Sequence, residues 1–286
     1  MRVLRSPLDS VTCALFPASC RICGDPVLRL GRIPVCEICI APPPASSSNS
    51  CGICGENLGL ESFPGQHLSE SASCRVCDSV PPPFVSAVSH GAYEGTLRAL
   101  IHLLKYEGIA PAARPLGKLL LRAISQIEAR LPLDTVVVAV PLHPAKERQR
   151  GFNQSEQIAL EALAEIRRTT GEERFKLERN ALRRARPTDS QFGLTARERR
   201  RNLKGAFTVA KAEAIRGKTV LLIDDIYTTG ATARECARTL RAAGASHVYV
   251  ATLARAQRDG VAHWNAEQFV TTPVTFHSGG STLTAS

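Results

Sequence analysis

Two neighbouring acids, Asp224 and Asp225, close a run of branched apolar residues (Thr219 to Ile223), and Thr228-Thr229-Gly230-Ala231-Thr232 follows two residues later. Paired carboxylates accept hydrogen bonds from adjacent sugar hydroxyls. A loop of small residues feeding a helix offers backbone N–H groups and hydroxyls to a phosphate, which helix N-termini favour. Together these residue types can capture a phosphorylated sugar. A second stretch, Val140 to Ser155, reads as strand, loop and helix, and its loop carries Lys146, Arg148 and Arg150. Positive charge at a strand's carboxyl end could hold a diphosphate; the blander alternative is a solvated basic loop capped by Asn153 or Ser155. His143, in the same loop, reads as a loop residue rather than a catalytic base.

The third set of reactive residues is sulfur. Eight cysteines form four Cys-x-x-Cys pairs, Cys20/Cys23, Cys36/Cys39, Cys51/Cys54 and Cys74/Cys77, with 12 residues between the first two pairs and 19 between the last two. Each pair places two thiolates within reach of one tetrahedral ion, and two pairs close a site. Gly24 and Gly55 follow the first pair of each module and suit a tight knuckle. The spacing indicates two structural Zn²⁺ sites. Sequential pairing is favoured, with an interleaved arrangement also compatible. All positions would be filled by thiolates, so the metal stands in for a core that a short, polar segment cannot build. Cys13 lies outside the pairs and reads as a small buried residue.

These residues need elements to hold them. The strands Phe84 to Tyr93, Thr135 to Val140, Leu177 to Leu182, Ala206 to Ala210, Thr219 to Ile223 and Ser246 to Leu253 alternate with helical patterns at Thr96 to Tyr106, Ala112 to Ala129, Ser155 to Arg168 and Ala233 to Ala243. Thr195 with Glu198 three residues on forms a capping-box signature. Alternating strands and helices predict a doubly wound α/β domain with a mainly parallel sheet, whose ligands bind beyond the strands' carboxyl ends. Ala41 to Ser50 and Leu60 to Ser73 read as Pro/Ser-rich linkers, and Pro81-Pro82-Pro83 as a stiff boundary.

The totals are those of a soluble globular protein. Of 286 residues, 44% are hydrophobic and 22% charged, and no stretch approaches the ~20 apolar residues that cross a bilayer. The N-terminal apolar stretch is broken by Pro7, Asp9 and Ser10, a poor signal peptide. Cys-x-x-Cys pairs without such a peptide point to metal in a reducing cytosol, so the expected location is cytoplasmic. The net charge is +10, and Arg174 to Lys204 concentrates it, with eleven Lys/Arg against Glu178, Asp189 and Glu198. That segment could attract phosphorylated sugar or nucleic acid.

The apolar strand, acid pair and Thr-Thr-Gly-Ala-Thr loop resemble the signature of the type I phosphoribosyltransferases, which bind 5-phosphoribosyl 1-pyrophosphate (PRPP). More specifically, LFPASCRICG, the cysteine pairs, HGAYEGTLRALIHLLKYEG, RGFNQS (Arg150 to Ser155) and Gln191-x-x-Leu194-x-x-x-x-Arg199-x-x-Asn202 resemble the ComF-like and GntX-like proteins of bacterial competence and DNA uptake. The resemblance implies a type I phosphoribosyltransferase-like domain over 84–255. A small double zinc ribbon over 13–80 precedes it, and a partly disordered tail over 256–286 follows. It assigns Asp224 and Asp225 to the ribose hydroxyls and Thr228, Thr229, Gly230, Ala231 and Thr232 to the 5′-phosphate. Arg148, Arg150 and Lys105 would stabilise the diphosphate, Mg²⁺ would accompany PRPP, and Gln191 to Arg201 would form a lid. The implied reaction is transfer of phosphoribose to an acceptor that the residues do not identify.

The alternative function is non-catalytic binding of single-stranded nucleic acid, within the DNA-uptake machinery, through the basic segment and zinc ribbons. Aromatics for base stacking are few, 5% overall, with Phe175 and Phe192 in the basic segment. Oligomeric state is not encoded in any pattern.

Overall fold

The computed structural model describes residues 18–27, 32–40, 50–58, 72–186 and 195–256. Cys13, most of both linkers, Gln191, Leu194 and the tail beyond Ala256 lie outside the described residues. Two short helices, α1 (Glu37–Ile40) and α2 (Arg75–Ser79), belong to the cysteine modules. The elements that position the acids are β1 (Ala87–Ala92), α3 (Gly95–Lys105), α4 (Ala113–Ser125), β2 (Val136–Ala139), α5 (Pro144–Arg150) and α6 (Gln154–Thr170). They continue as β3 (Lys176–Leu177), β4 (Leu182–Arg184), α7 (Ala196–Leu203), β5 (Phe207–Val209), α8 (Ala212–Ile215), β6 (Thr219–Tyr227), α9 (Ala231–Ala242) and β7 (His247–Arg255).

Five strands form a parallel sheet in the order β1-β7-β6-β2-β3, with β6 at its centre. Parallel pairing requires crossovers, and the helices that make them cover both faces. The branched run Thr219 to Ile223 is buried throughout, as such a position demands. Its side chains alternate between two cores. Leu221 and Ile223 join α3 and α4, whereas Val220 and Leu222 join Cys236 and Leu240 of α9.

The cysteine modules extend those cores. Cys20, Val27, Val35 and Cys39 belong to the cluster on the α3/α4 face, and Cys51, Cys54, Cys74 and Cys77 to the cluster on the α9 face. The halves of the ribbon therefore pack on opposite faces of one sheet.

Three local expectations are corrected. The basic stretch read as a loop holds a two-turn helix, α5. His143 Nδ1 accepts from the Ala145 N–H, Pro144 occupies the first turn, and Gly151 in the left-handed region ends it. The strand expected over 177–182 is split, because Asn180 adopts a φ of 61°. Residues before it join the sheet edge as β3, and those after it pair with β5 in a separate antiparallel ribbon. The central strand runs on to Tyr227, and its helix begins at Ala231 rather than Ala233.

Helices α4 and α6 touch at Gly117, where a Cβ would lie 2.7 Å from the Ala162 nitrogen and 2.8 Å from the Glu161 Cβ. Alanine gains about 1 kcal/mol of helix propensity over glycine. Overpacking against a backbone that cannot yield costs about 1–3 kcal/mol. Gly117→Ala is therefore expected to lower the urea midpoint, and a raised midpoint would show that the helices separate freely.

Candidate functional site

β6 delivers the acid pair beyond the apolar part of the strand, and neighbouring elements close on it. Lys105, the last residue of α3, places Nζ 2.9 Å from Asp225 Oδ2. Gln154, the first residue of α6, donates from Nε2 to the same oxygen at 2.8 Å. Ser155 donates its hydroxyl to Asp224 Oδ1 at 3.1 Å, and the Asp225 N–H donates to that oxygen at 2.9 Å. Each acid thus commits one oxygen to the protein. Asp225 Oδ1 and Asp224 Oδ2 have no hydrogen-bond partner among the described residues, which leaves one acceptor on each acid.

The start of α6 is shaped for this. Asn153 accepts from the Ser155 and Glu156 N–H groups and donates to the Val140 carbonyl, fixing the turn that aims Gln154 and Ser155 at the acids. Arg150 lies one step further out, bonded to Gln154 Oε1 at 2.6 Å and lying 5.9 Å from the Tyr106 ring centroid. Arg148 and Lys146 stand on the exposed surface of α5, and neither contacts the acids among the described residues. His143 is occupied as a helix cap.

Burial, followed by the adjacent Asp225 charge, pushes Asp224 from its ordinary 3.8 up to about 7. Below about pH 4 the carboxyl is protonated both folded and unfolded. Between 4 and 7 the unfolded chain ionises first, so this group's contribution to stability is lost as pH rises through 7. At about 1.36 kcal/mol per unit, the loss is at most about 4 kcal/mol. Asp224→Asn is expected to melt higher than wild type at pH 8 and nearly with it at pH 4. An equal difference at both pH values would refute the buried charge.

The loop Thr228 to Thr232 is held from both sides. Gly230, at φ 74°, is the N-cap of α9 and has no side chain to cap it, although the Ala231 N–H donates to Thr229 Oγ1 at 3.4 Å. A Cβ on Gly230 would collide with the Tyr227 hydroxyl, so Tyr227 fills the space beneath the loop. Arg199 of α7 donates to Thr228 Oγ1 at 3.3 Å, and α7 starts with the expected Thr195–Glu198 capping box. From β4, Arg184 lies over Phe207 and close enough for Asp224 to act on its charge. Gln154, Ser155, Arg184 and Arg199 had no assigned role in the sequence reading of the ribose-phosphate site. RGFNQS and the Arg199 motif were visible as patterns, but neither states which carboxylate or hydroxyl its side chains meet.

The cysteines form two sites, Cys20/Cys23/Cys36/Cys39 and Cys51/Cys54/Cys74/Cys77, with all sulfurs of each within 4.8 Å of one another. Sequential pairing is therefore the arrangement adopted. The Cys23–Cys36 and Cys54–Cys74 sulfurs are 3.7 and 3.6 Å apart. A zinc tetrahedron with bonds of about 2.3 Å has edges of about 3.8 Å, so the residues fit that ion. The Cys36 N–H points at Cys20 Sγ (3.3 Å) and the Cys74 N–H at Cys51 Sγ (3.3 Å). Although burial opposes it, backbone N–H groups bring Cys20 down to about 6, while burial pushes Cys54 up to about 11. Gly24 and Gly55 have φ of 81° and 70°, as knuckles require. No helix among the described residues is long and apolar enough to cross a membrane.

Comparison with known proteins adds relatives to this geometry. Residues 117–280 match the phosphoribosyl transferase domain. The chain is 32% identical over 243 residues to the DNA utilization protein YhgH of Escherichia coli (strain K12), covering 84% of this chain and 97% of that protein. It is 31% identical over 211 residues to competence protein F of Haemophilus influenzae, covering 72% and 84%. Competence protein ComFC of Streptococcus pneumoniae is 28% identical over 211 residues, covering 72% and 86%.

Proposed function

The chain belongs to the phosphoribosyltransferase family, in its ComF-like branch, and from that premise we propose that it binds PRPP and transfers phosphoribose in the handling of DNA. The observation that carries the reading is one carboxylate oxygen on each of Asp224 and Asp225 without a partner among the described residues, followed by a helix N-terminus whose N-cap is a glycine. The ribose hydroxyls donate to those oxygens. The 5′-phosphate accepts from the backbone of Thr228 to Thr232 and from the Thr hydroxyls.

Transfer breaks the C1–oxygen bond, and its electron pair leaves with the diphosphate. An acceptor lone pair forms the new bond at C1, and the acceptor's proton passes to solvent. Lys105, 2.9 Å from Asp225, and Arg150, bonded to Gln154, are the cations that would favour negative charge on the leaving group. Arg199, beside Thr228, adds positive charge at the phosphate loop. Magnesium, held on the diphosphate, supplies Lewis-acid neutralisation when bound. The names of the relatives support a role in DNA utilisation or competence, and the reducing interior of the cell suits the thiolates.

Calorimetric titration of PRPP with Mg²⁺ into the full chain tests the reading. Saturable heat near one equivalent is expected, and its absence would overturn it.

A further inference from the structure

Arg255 is the last residue of β7 and the ladder partner of Tyr227 in β6. Its side chain turns into the protein and is 7% exposed. The guanidinium donates to the Cys54 carbonyl, pairs with the buried Glu56 carboxylate and approaches Cys54 Sγ at 3.7 Å. It also lies over the Tyr227 ring, 4.5 Å from the centroid. Phe84 meets Tyr227 edge-on, with centroids 6.5 Å apart, and Gly230 leaves no room above it. Further along α9, Arg234 donates to the Val80 carbonyl, just past the second cysteine module.

We propose that Arg255 is a positioning residue that couples the second cysteine centre to the phosphate loop, so that metal in one and phosphoribose in the other stabilise each other. This rests on the reading of Thr228 to Thr232 as the phosphate loop. Buried cations demand compensation, and the acid and the sulfur that meet Arg255 both come from the second module. Four thiolates on one divalent ion are net negative, which suits a guanidinium at their edge. When the ion leaves, the four sulfurs are no longer held together beside the guanidinium, and the segment carrying Cys54 and Glu56 loses its anchor. Arg255 must then shift or remain buried beside a weakened partner set, and either change frees Tyr227 and the loop above it. Linkage makes the effect reciprocal. Among the described residues no buried arginine joins the first module to the phosphate loop in this way. The first module's Arg21 pairs with Glu107 at the surface, with side chains 56% and 40% exposed.

Zinc release from the zinc-loaded full chain, followed with a chromogenic chelator with and without PRPP and Mg²⁺, tests the coupling. One of two equivalents is expected to leave roughly tenfold more slowly with PRPP, and the other at an unchanged rate. Arg255→Met is expected to retain two equivalents and lose this selective protection. Hydrogen exchange, measured without PRPP, is a second readout. Amides from Thr228 to Ala233 should exchange at least roughly tenfold faster in Arg255→Met, with Cys20 to Gly24 unchanged. Wild type that binds PRPP without slowing either zinc equivalent overturns the proposal, as does unchanged loop exchange in the variant. If wild type takes up no PRPP yet the variant's loop exchanges faster, the coupling stands and the PRPP reading fails.

Discussion

Asp225→Ala is expected to weaken PRPP binding by roughly a hundredfold, because hydrogen bonds to a charged acceptor are worth about 1.5–3 kcal/mol each. Asp225 is 4% exposed, and its Oδ2 already holds Lys105 and Gln154. Deleting the carboxylate therefore removes the proposed ribose acceptor and also strands a nearly buried ammonium, whose loss of partner costs about 3–5 kcal/mol. A melting measurement alone would confuse these effects. Asp225→Asn separates them, since it keeps the shape and an acceptor for Gln154 but removes the charge. Calorimetry with Mg²⁺ and PRPP should show weakened binding in both variants, with the larger stability loss in the alanine variant. Variants that bind as tightly as wild type would place the sugar elsewhere.

Cys77→Ser is expected to leave one zinc equivalent instead of two by atomic absorption, and to lower the melting temperature by more than about 10 °C. A structural zinc contributes about 10–16 kcal/mol of apparent binding free energy, comparable with the whole stability of a domain at about 5–15 kcal/mol. The loss is not confined to the module. Cys77 is 1% exposed and shares its apolar cluster with Phe84, Val138, Leu222 and Tyr227, so opening the module uncovers one face of the sheet. Cys20→Ser should instead spare the second site and disturb the α3 face. A serine variant that still holds two equivalents would overturn the two-site assignment.

The local features could be read directly from the chain. The Cys-x-x-Cys pairs, the buried run into Asp224-Asp225, the small-residue loop, and the Thr195–Glu198 cap each involve residues a few positions apart, whose geometry short-range sterics and hydrogen bonding decide. Even there, the interior of Val140 to Ser155 was misread, because its charges outweighed the Pro144 and Gly151 signals that bracket α5. The alternation of strand and helix was enough for the doubly wound architecture, since period and length distinguish the two elements.

What tertiary structure alone decided is which distant groups meet. Gln154 reaches Asp225 across 71 positions, Ser155 reaches Asp224 across 69, and Arg255 reaches Glu56 across 199. Lys105 meets Asp225 across 120 positions, whereas Arg148 stands on the exposed surface of α5. The division of the cysteine modules between opposite faces likewise follows from the sheet that separates two cores. No pattern along the chain carries these facts, because burial of a charge and the partner that compensates it are set by packing in three dimensions rather than by spacing. Short-range patterns along the chain were enough to show the chemistry on offer, thiolates for a metal and a carboxylate pair beside a small-residue loop. The fold brought Lys105 and Gln154 onto Asp225, and set Arg255 between Cys54 and Tyr227.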